Sequence, residues 1–278
     1  MKMHCDSASR AGGSPSLDRV LKGRDFVIVM DGASPFRPTP VDGSTYVDTL
    51  GEVLARLLSR RYAPLADMVH DAISDTAHRL GLVKGSSPSA ALAVIRVGGT
   101  DLETFVLGDC LVATPDGDEL TDNRLSSMAI DIRQEYKSRL QAGHGYDEVH
   151  RRLLRKLQEE EAEYRNVPGG YWIAEANPKA AYQAIERCYP ADAVPWCVLA
   201  TDGAYRPLRQ LGIPWNRVHE NLENLEQLLA DCQQLEELDP EGLRWPRAKR
   251  HDDKTLAVVS LSSDLCQSHD ACVQTFFT

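Results

Sequence analysis

No stretch of the 278 residues is long and apolar enough to cross a bilayer as a helix. The opening "MKMHCDSASR" lacks the hydrophobic segment of a secretory signal. The expectation is therefore a cytoplasmic protein without a membrane partner. Basic residues are also in short supply. Lys and Arg number 31 against 41 Asp and Glu, a formal net charge of −10. Non-specific nucleic-acid binding needs a basic surface, so it is not expected. No two of the seven cysteines form a CxxC pair, and their odd number and irregular spacing suit reduced thiols. Cys266, His269 and Cys272 are spaced like metal ligands, but no fourth ligand or rigid frame accompanies them, and a polar tail over 263–278 is the simpler reading. There is no GxSxG, Walker loop or GxGxxG. Covalent serine chemistry and nucleotide-cradling loops thus have no support.

What is present is a core. Hydrophobic residues make up 42% of the chain. Five short apolar segments, rich in Val, Ile and Leu and bounded by turn residues, read as buried strands: "DFVIVM" (25–30), "ALAVIRV" (91–97), "LETFVL" (102–107), "WCVLAT" (196–201) and "TLAVVSL" (255–261). Helical spacing is expected in 44–62, in 64–80 behind Pro64, in 177–189 behind Asn177-Pro178, and in the acidic stretch 221–238. The segment 124–165 is highly charged with few apolar positions. It reads as a helical insertion, either a lid or a solvated hairpin without a role. One domain over 1–262 with that insertion is the simplest organisation.

Aspartate recurs where these strands end. Asp31-Gly32 closes the first, Gly108-Asp109 another, and Asp202-Gly203 a third; Asp252-Asp253 opens the last, and Asp18 stands shortly before the first. A single Asp-Gly is an ordinary turn. Several apolar strands meeting aspartate is a stronger pattern. If those ends converge, the carboxylates repel and cannot all stay ionised. Divalent cations resolve this, and an all-oxygen set without His or Cys suits Mg²⁺ or Mn²⁺.

The ordered set "SLDRV", "VMDGAS", "GSSPSAALAVI", "LGDC", "ATDGA" and "HDDKT" resembles metal-dependent protein phosphatases of the 2C type, over nearly the whole chain. "RWPRAKRHDDKTLAVV" and "YWIAEANPKAAYQAI" resemble an actinobacterial branch of that family. The resemblance implies an α+β, four-layer α-β-β-α sandwich: two antiparallel sheets flanked by helices, with metals at one end. It also implies roles. Asp31 would bridge two Mg²⁺ or Mn²⁺ ions with the Gly32 carbonyl beside it. Asp202 and Asp252 would complete the pair, and these three would act catalytically through a metal-activated water. Asp18 would contact a metal-bound water, Asp109 would hold a third ion, Arg10 would bind the phosphate, and Asp253 would support the set from behind. There are departures. The family's Asn-Glu-Asp reads Ser16-Leu17-Asp18, and Ala33-Ser34-Pro35 replaces two further glycines after Gly32.

The function so implied is hydrolysis of phosphoserine or phosphothreonine on a phosphorylated protein. Two alternatives stand beside it: a weak or inactive member that binds a phosphoprotein or other partner, and a phosphatase of a small metabolite. Fold alone does not choose among them.

Overall fold

The structure, a computed structural model, describes residues 1–13, 15–33, 37–60 and 62–262. The tail expected over 263–278, with Cys266, His269 and Cys272, lies outside the described residues. The strands are β1 (Lys2–Arg10), β2 (Arg19–Lys22), β3 (Phe26–Gly32), β4 (Ala90–Gly98), β5 (Asp101–Leu107), β6 (Leu111–Ala113), β7 (Glu119–Thr121), β8 (Ile185–Pro190), β9 (Trp196–Ala200) and β10 (Lys254–Ser262). The helices are α1 (Gly43–Arg60), α2 (Leu65–Leu80), α3 (Ile130–Gln141), α4 (Glu148–Glu163), α5 (Asp202–Gln210), α6 (Trp215–Glu220) and α7 (Leu225–Glu237).

Every strand pairing is antiparallel. One sheet has the order β1-β10-β9-β6-β7, the other β2-β3-β4-β5-β8. The apolar runs are continuous because both faces of each central strand are covered. In β3, Ile28 and Met30 pack against α1 and α2, through Leu50, Leu54 and Met68. Val27 and Val29 point the other way, into a layer shared with Cys197, Leu199, Ala257 and Val259 of the facing sheet. Val198, Leu256 and Val258 then face outward onto α5, α6 and α7, through Leu208, Val218 and Leu229. The result is the four-layer α-β-β-α sandwich: helices, sheet, sheet, helices.

The expected helix over 177–189 is not continuous. Pro178–Gln183 forms 3₁₀ turns and Ile185–Pro190 is an edge strand beside β5. Ala180 and Ala181 are buried against the α1/α2 layer, which satisfies the short apolar spacing that suggested a helix. The charged stretch 124–165 holds α3 and α4. Their few apolar residues are aligned, and Ile132, Tyr136, Leu140, Leu153 and Leu157 close a small core of their own. Asp147 caps α4 by accepting the His150 amide at 2.8 Å. Among the described residues, no helix is long and apolar enough to cross a membrane.

Candidate active site

Strand register brings the aspartates to one end of the sandwich. Asp31 pairs with Ala91, and Leu92 next to it pairs with Leu107, two residues before Asp109. In the other sheet Ala200, two residues before Asp202, pairs with both Leu111 and Leu256, which follow Asp109 and Asp252 closely. Asp18 precedes β2, which runs beside β3. Thr201 fastens it across the sheets by donating its hydroxyl to Asp18 Oδ2 at 2.8 Å. Glycine makes the close approach possible. A Cβ on Gly203 would lie 1.9 Å from the Asp253 carbonyl oxygen, so any side chain there would drive Asp202 away from Asp252. Gly108, at φ +84°, turns the chain from β5 to Asp109 in a conformation that other residues rarely adopt.

The carboxylates disturb one another. Burial, then the charges of Asp18, Asp202, Asp109 and Asp252, push Asp31 well above the ordinary aspartate range. Burial raises Asp18 to about 7, although the Thr201 hydrogen bond pulls it down. Burial, with Asp202 nearby, raises Asp109 to about 6. Asp252 is raised by burial but opposed by Lys249, and 37% of its side chain remains exposed. Asp18 Oδ1 is buried with no hydrogen-bond partner. A buried, orphaned carboxylate oxygen amid like charges is costly. A hard divalent cation relieves that cost, and this all-oxygen donor set fits one.

Among the described residues, however, no three such side chains are gathered into a finished metal cage. Three carboxylates are engaged elsewhere. Arg206, one turn along α5, pairs with Asp202 at 2.9 Å and reaches Asp109 at 3.4 Å. Lys249 pairs with Asp252 at 2.9 Å. Asp253 accepts the amides of Gly12 and Leu17 at 2.9 and 2.8 Å, and so holds the loop that carries Asp18. Arg10 differs from its expected role. It lies on β1 with its side chain donating to Gln233 of α7, and it does not line the cavity in front of the aspartates. His251 turns away as well, with Nδ1 2.9 Å from Glu236.

That cavity measures about 240 Å³. Asp31, Gly32, Asp109, Asp202 and Asp252 line it. Further lining comes from the α3/α4 hairpin: Arg133 of α3, with Leu154, Leu157, Gln158 and Glu161 of α4. Arg133 is committed to the hairpin, through Glu161 and the carbonyls of Met128 and Leu125. Sequence reasoning missed Arg206 and Lys249. Their spacing from Asp202 and Asp252, four and three residues, is a local ion-pair signal that could have found them. Nothing local signals that Arg206 also reaches Asp109.

The sequence matches no family model and no curated protein; likeness is found among solved structures. The serine/threonine phosphatase PstP/Ppp of Mycobacterium tuberculosis aligns with 95% of this chain and 100% of its own, at TM-score 0.54 and 15% identity. The PstP catalytic domain in complex with two manganese ions aligns with 93% of this chain and 98% of its own, at TM-score 0.51 and 15% identity. Serine-threonine phosphatase 2C from Toxoplasma gondii covers 93% of this chain and 95% of its own, at TM-score 0.54 and 16% identity. The likeness to the mycobacterial structures is no stronger than that to the Toxoplasma gondii one.

Proposed function

We propose that this chain, which has the fold of the 2C-type serine/threonine phosphatases, is a metal-dependent phosphomonoester hydrolase acting on phosphoserine or phosphothreonine of proteins. One observation carries the reading: Asp31, Asp109, Asp202 and Asp252, from both sheets, line a single cavity, and the buried Asp18 keeps one carboxylate oxygen unpartnered. Asp31 takes the central position, since the other four carboxylates all act on it. Asp202 and Asp252 flank it, the Gly32 carbonyl stands beside it, and Asp18 and Asp109 are outer members. Two Mg²⁺ or Mn²⁺ ions held there would supply an activated water and the positive charge that steadies a phosphoryl group in transfer. The chain's own part is positioning. Asp253 fixes the Asp18 loop.

The test is turnover of an aryl phosphate by the purified protein. Hydrolysis is expected with Mn²⁺ or Mg²⁺ and is expected to vanish in chelator. Equal rates in both would sink the metal-dependent reading. A second reading has its own support in the ion pairs of Arg206 and Lys249: a phosphoprotein-binding module whose carboxylates are neutralised internally. It expects no turnover with either ion, together with retained affinity for a phosphopeptide.

The hairpin wall assigns a role to the insertion as well. Leu154→Ala combined with Gln158→Ala is expected to change KM for phosphopeptides severalfold while altering aryl phosphate kcat by less than about twofold, because only an extended substrate reaches that wall. Steady-state kinetics on both substrates check this. Unchanged phosphopeptide KM would leave the hairpin as a surface embellishment.

A further inference from the structure

We infer that Arg206 and Lys249 are resident counter-ions of the carboxylate cluster, and that a divalent cation binds by displacing them. This rests on the metal reading above and adds a property to it: metal affinity set by competition with the protein's own cations. Arg206 bridges two carboxylates that come from different sheets, Asp202 at 2.9 Å and Asp109 at 3.4 Å. Lys249 holds Asp252 at 2.9 Å. All five residues line the same cavity.

Both cations are placed to leave. The Arg206 side chain is 52% exposed and that of Lys249 46%. Each reaches the carboxylates from the solvent side, on a long, flexible stem. Exposed pairs of this kind contribute little net free energy, so exchange is feasible. Two cations also cannot neutralise the whole cluster. Asp31 and the buried Asp18 remain without an ion-pair partner among the described residues. A divalent ion that enters to serve them must draw Asp202 and Asp252 inward. Those carboxylates then exchange a side-chain cation for the metal, and the like charges of metal and guanidinium push Arg206 outward.

Removing a competing cation should tighten metal binding. For partly exposed charges the expected gain is roughly three- to tenfold in Mn²⁺ affinity for Arg206→Gln, with a similar or smaller gain for Lys249→Gln. In chelator the same variants should melt at or below the wild-type temperature, because the carboxylates lose their counter-ion. The Mn²⁺-induced rise in melting temperature should be larger than in wild type. Arg206→Lys keeps the charge and should remain close to wild type. Arg209 lies on the same helix but pairs with Glu119 outside the cavity, so Arg209→Gln should leave Mn²⁺ affinity unchanged. The measurements are calorimetric titration with Mn²⁺ and melting curves with and without it, on the full chain. Equal or weaker Mn²⁺ binding by both Arg206→Gln and Lys249→Gln would overturn the inference and leave the metal reading intact. Equal tightening by Arg209→Gln would also overturn it, since only net charge would then matter. No binding by any of the proteins would remove the metal reading together with it.

Discussion

Asp202→Ala is expected to lower metal-dependent turnover by roughly a thousandfold or more, the scale of losing a metal's contribution to the transition state. The chain should stay folded. In chelator two effects oppose each other. The variant loses the Asp202–Arg206 pair, worth at most about 1 kcal/mol with Arg206 half-exposed. It also relieves repulsion, since Asp202 is among the charges that raise Asp31 and Asp109. The melting temperature in chelator should therefore stay within about 3 °C of wild type. With saturating Mn²⁺ the proteins should separate. A ligand at about 100 times its dissociation constant stabilises the native state by about 2.7 kcal/mol, and the variant forgoes most of this. Melting curves of both proteins in both buffers decide the matter. Equal destabilisation in both would reduce Asp202 to the residue that starts α5.

Metal-free protein should lose stability as pH rises from about 4 to 8, and Mn²⁺ should flatten or reverse that slope. The sign follows from the direction of the shifts. Asp18 and Asp109 stand at about 7 and about 6 in the fold, and Asp31 is also raised, all above the ordinary aspartate value. A carboxyl raised by folding contributes stability that is fully present below its unfolded pKa and is lost as pH climbs through the folded one. Glu161, raised to about 7 by burial, adds to the same slope. Carboxylates lowered by folding act oppositely and only at the acid end, among them Asp239, held down by the amides of Trp245, Arg244 and Leu243 against its own burial. Summed over the cluster the loss is on the order of several kcal/mol. Denaturant titrations in chelator at a series of pH values measure it. Stability that is flat or rising from pH 5 to 8 in chelator would mean that neither burial nor mutual repulsion raises these carboxylates in the fold.

The central strands were legible because they are covered on both faces and so read as unbroken Val, Ile and Leu. The rim was not. β1, "KMHCDSASR", is mostly exposed and carries alternating polar residues, as an edge strand must, and β8 likewise has little burial to signal it. The aspartates were legible because each abuts an apolar run. Their convergence was not, since it depends on register between strands distant in the chain and on how the two sheets stack. Arg10 shows the limit of reading by order alone. It stands upstream of Asp18 as the resemblance asks, yet its position on β1 directs it to Gln233 on the outer helix layer. Arg206 and Lys249 illustrate the reverse case, in which a local ion-pair spacing carried information that the motif order concealed.

The pairing of β1 with β10 has a consequence for how the molecule is made. Lys2 lies opposite Ser262 and Arg10 opposite Lys254, so the strand synthesised first waits for nearly the last. Asp31 emerges early and Asp252 late. At ordinary translation rates the interval is on the order of tens of seconds. During it the α1/α2 layer can form on β2–β5, all of which are made in the first half of the chain, but the facing sheet lacks β10, which joins β1 to β9. The site is therefore assembled only after β10 has been made, by the closure of non-local contacts that slow folding most. Until then the nascent chain carries aspartates that no second sheet has brought together. The cluster's mutual repulsion is met only in the final step of folding.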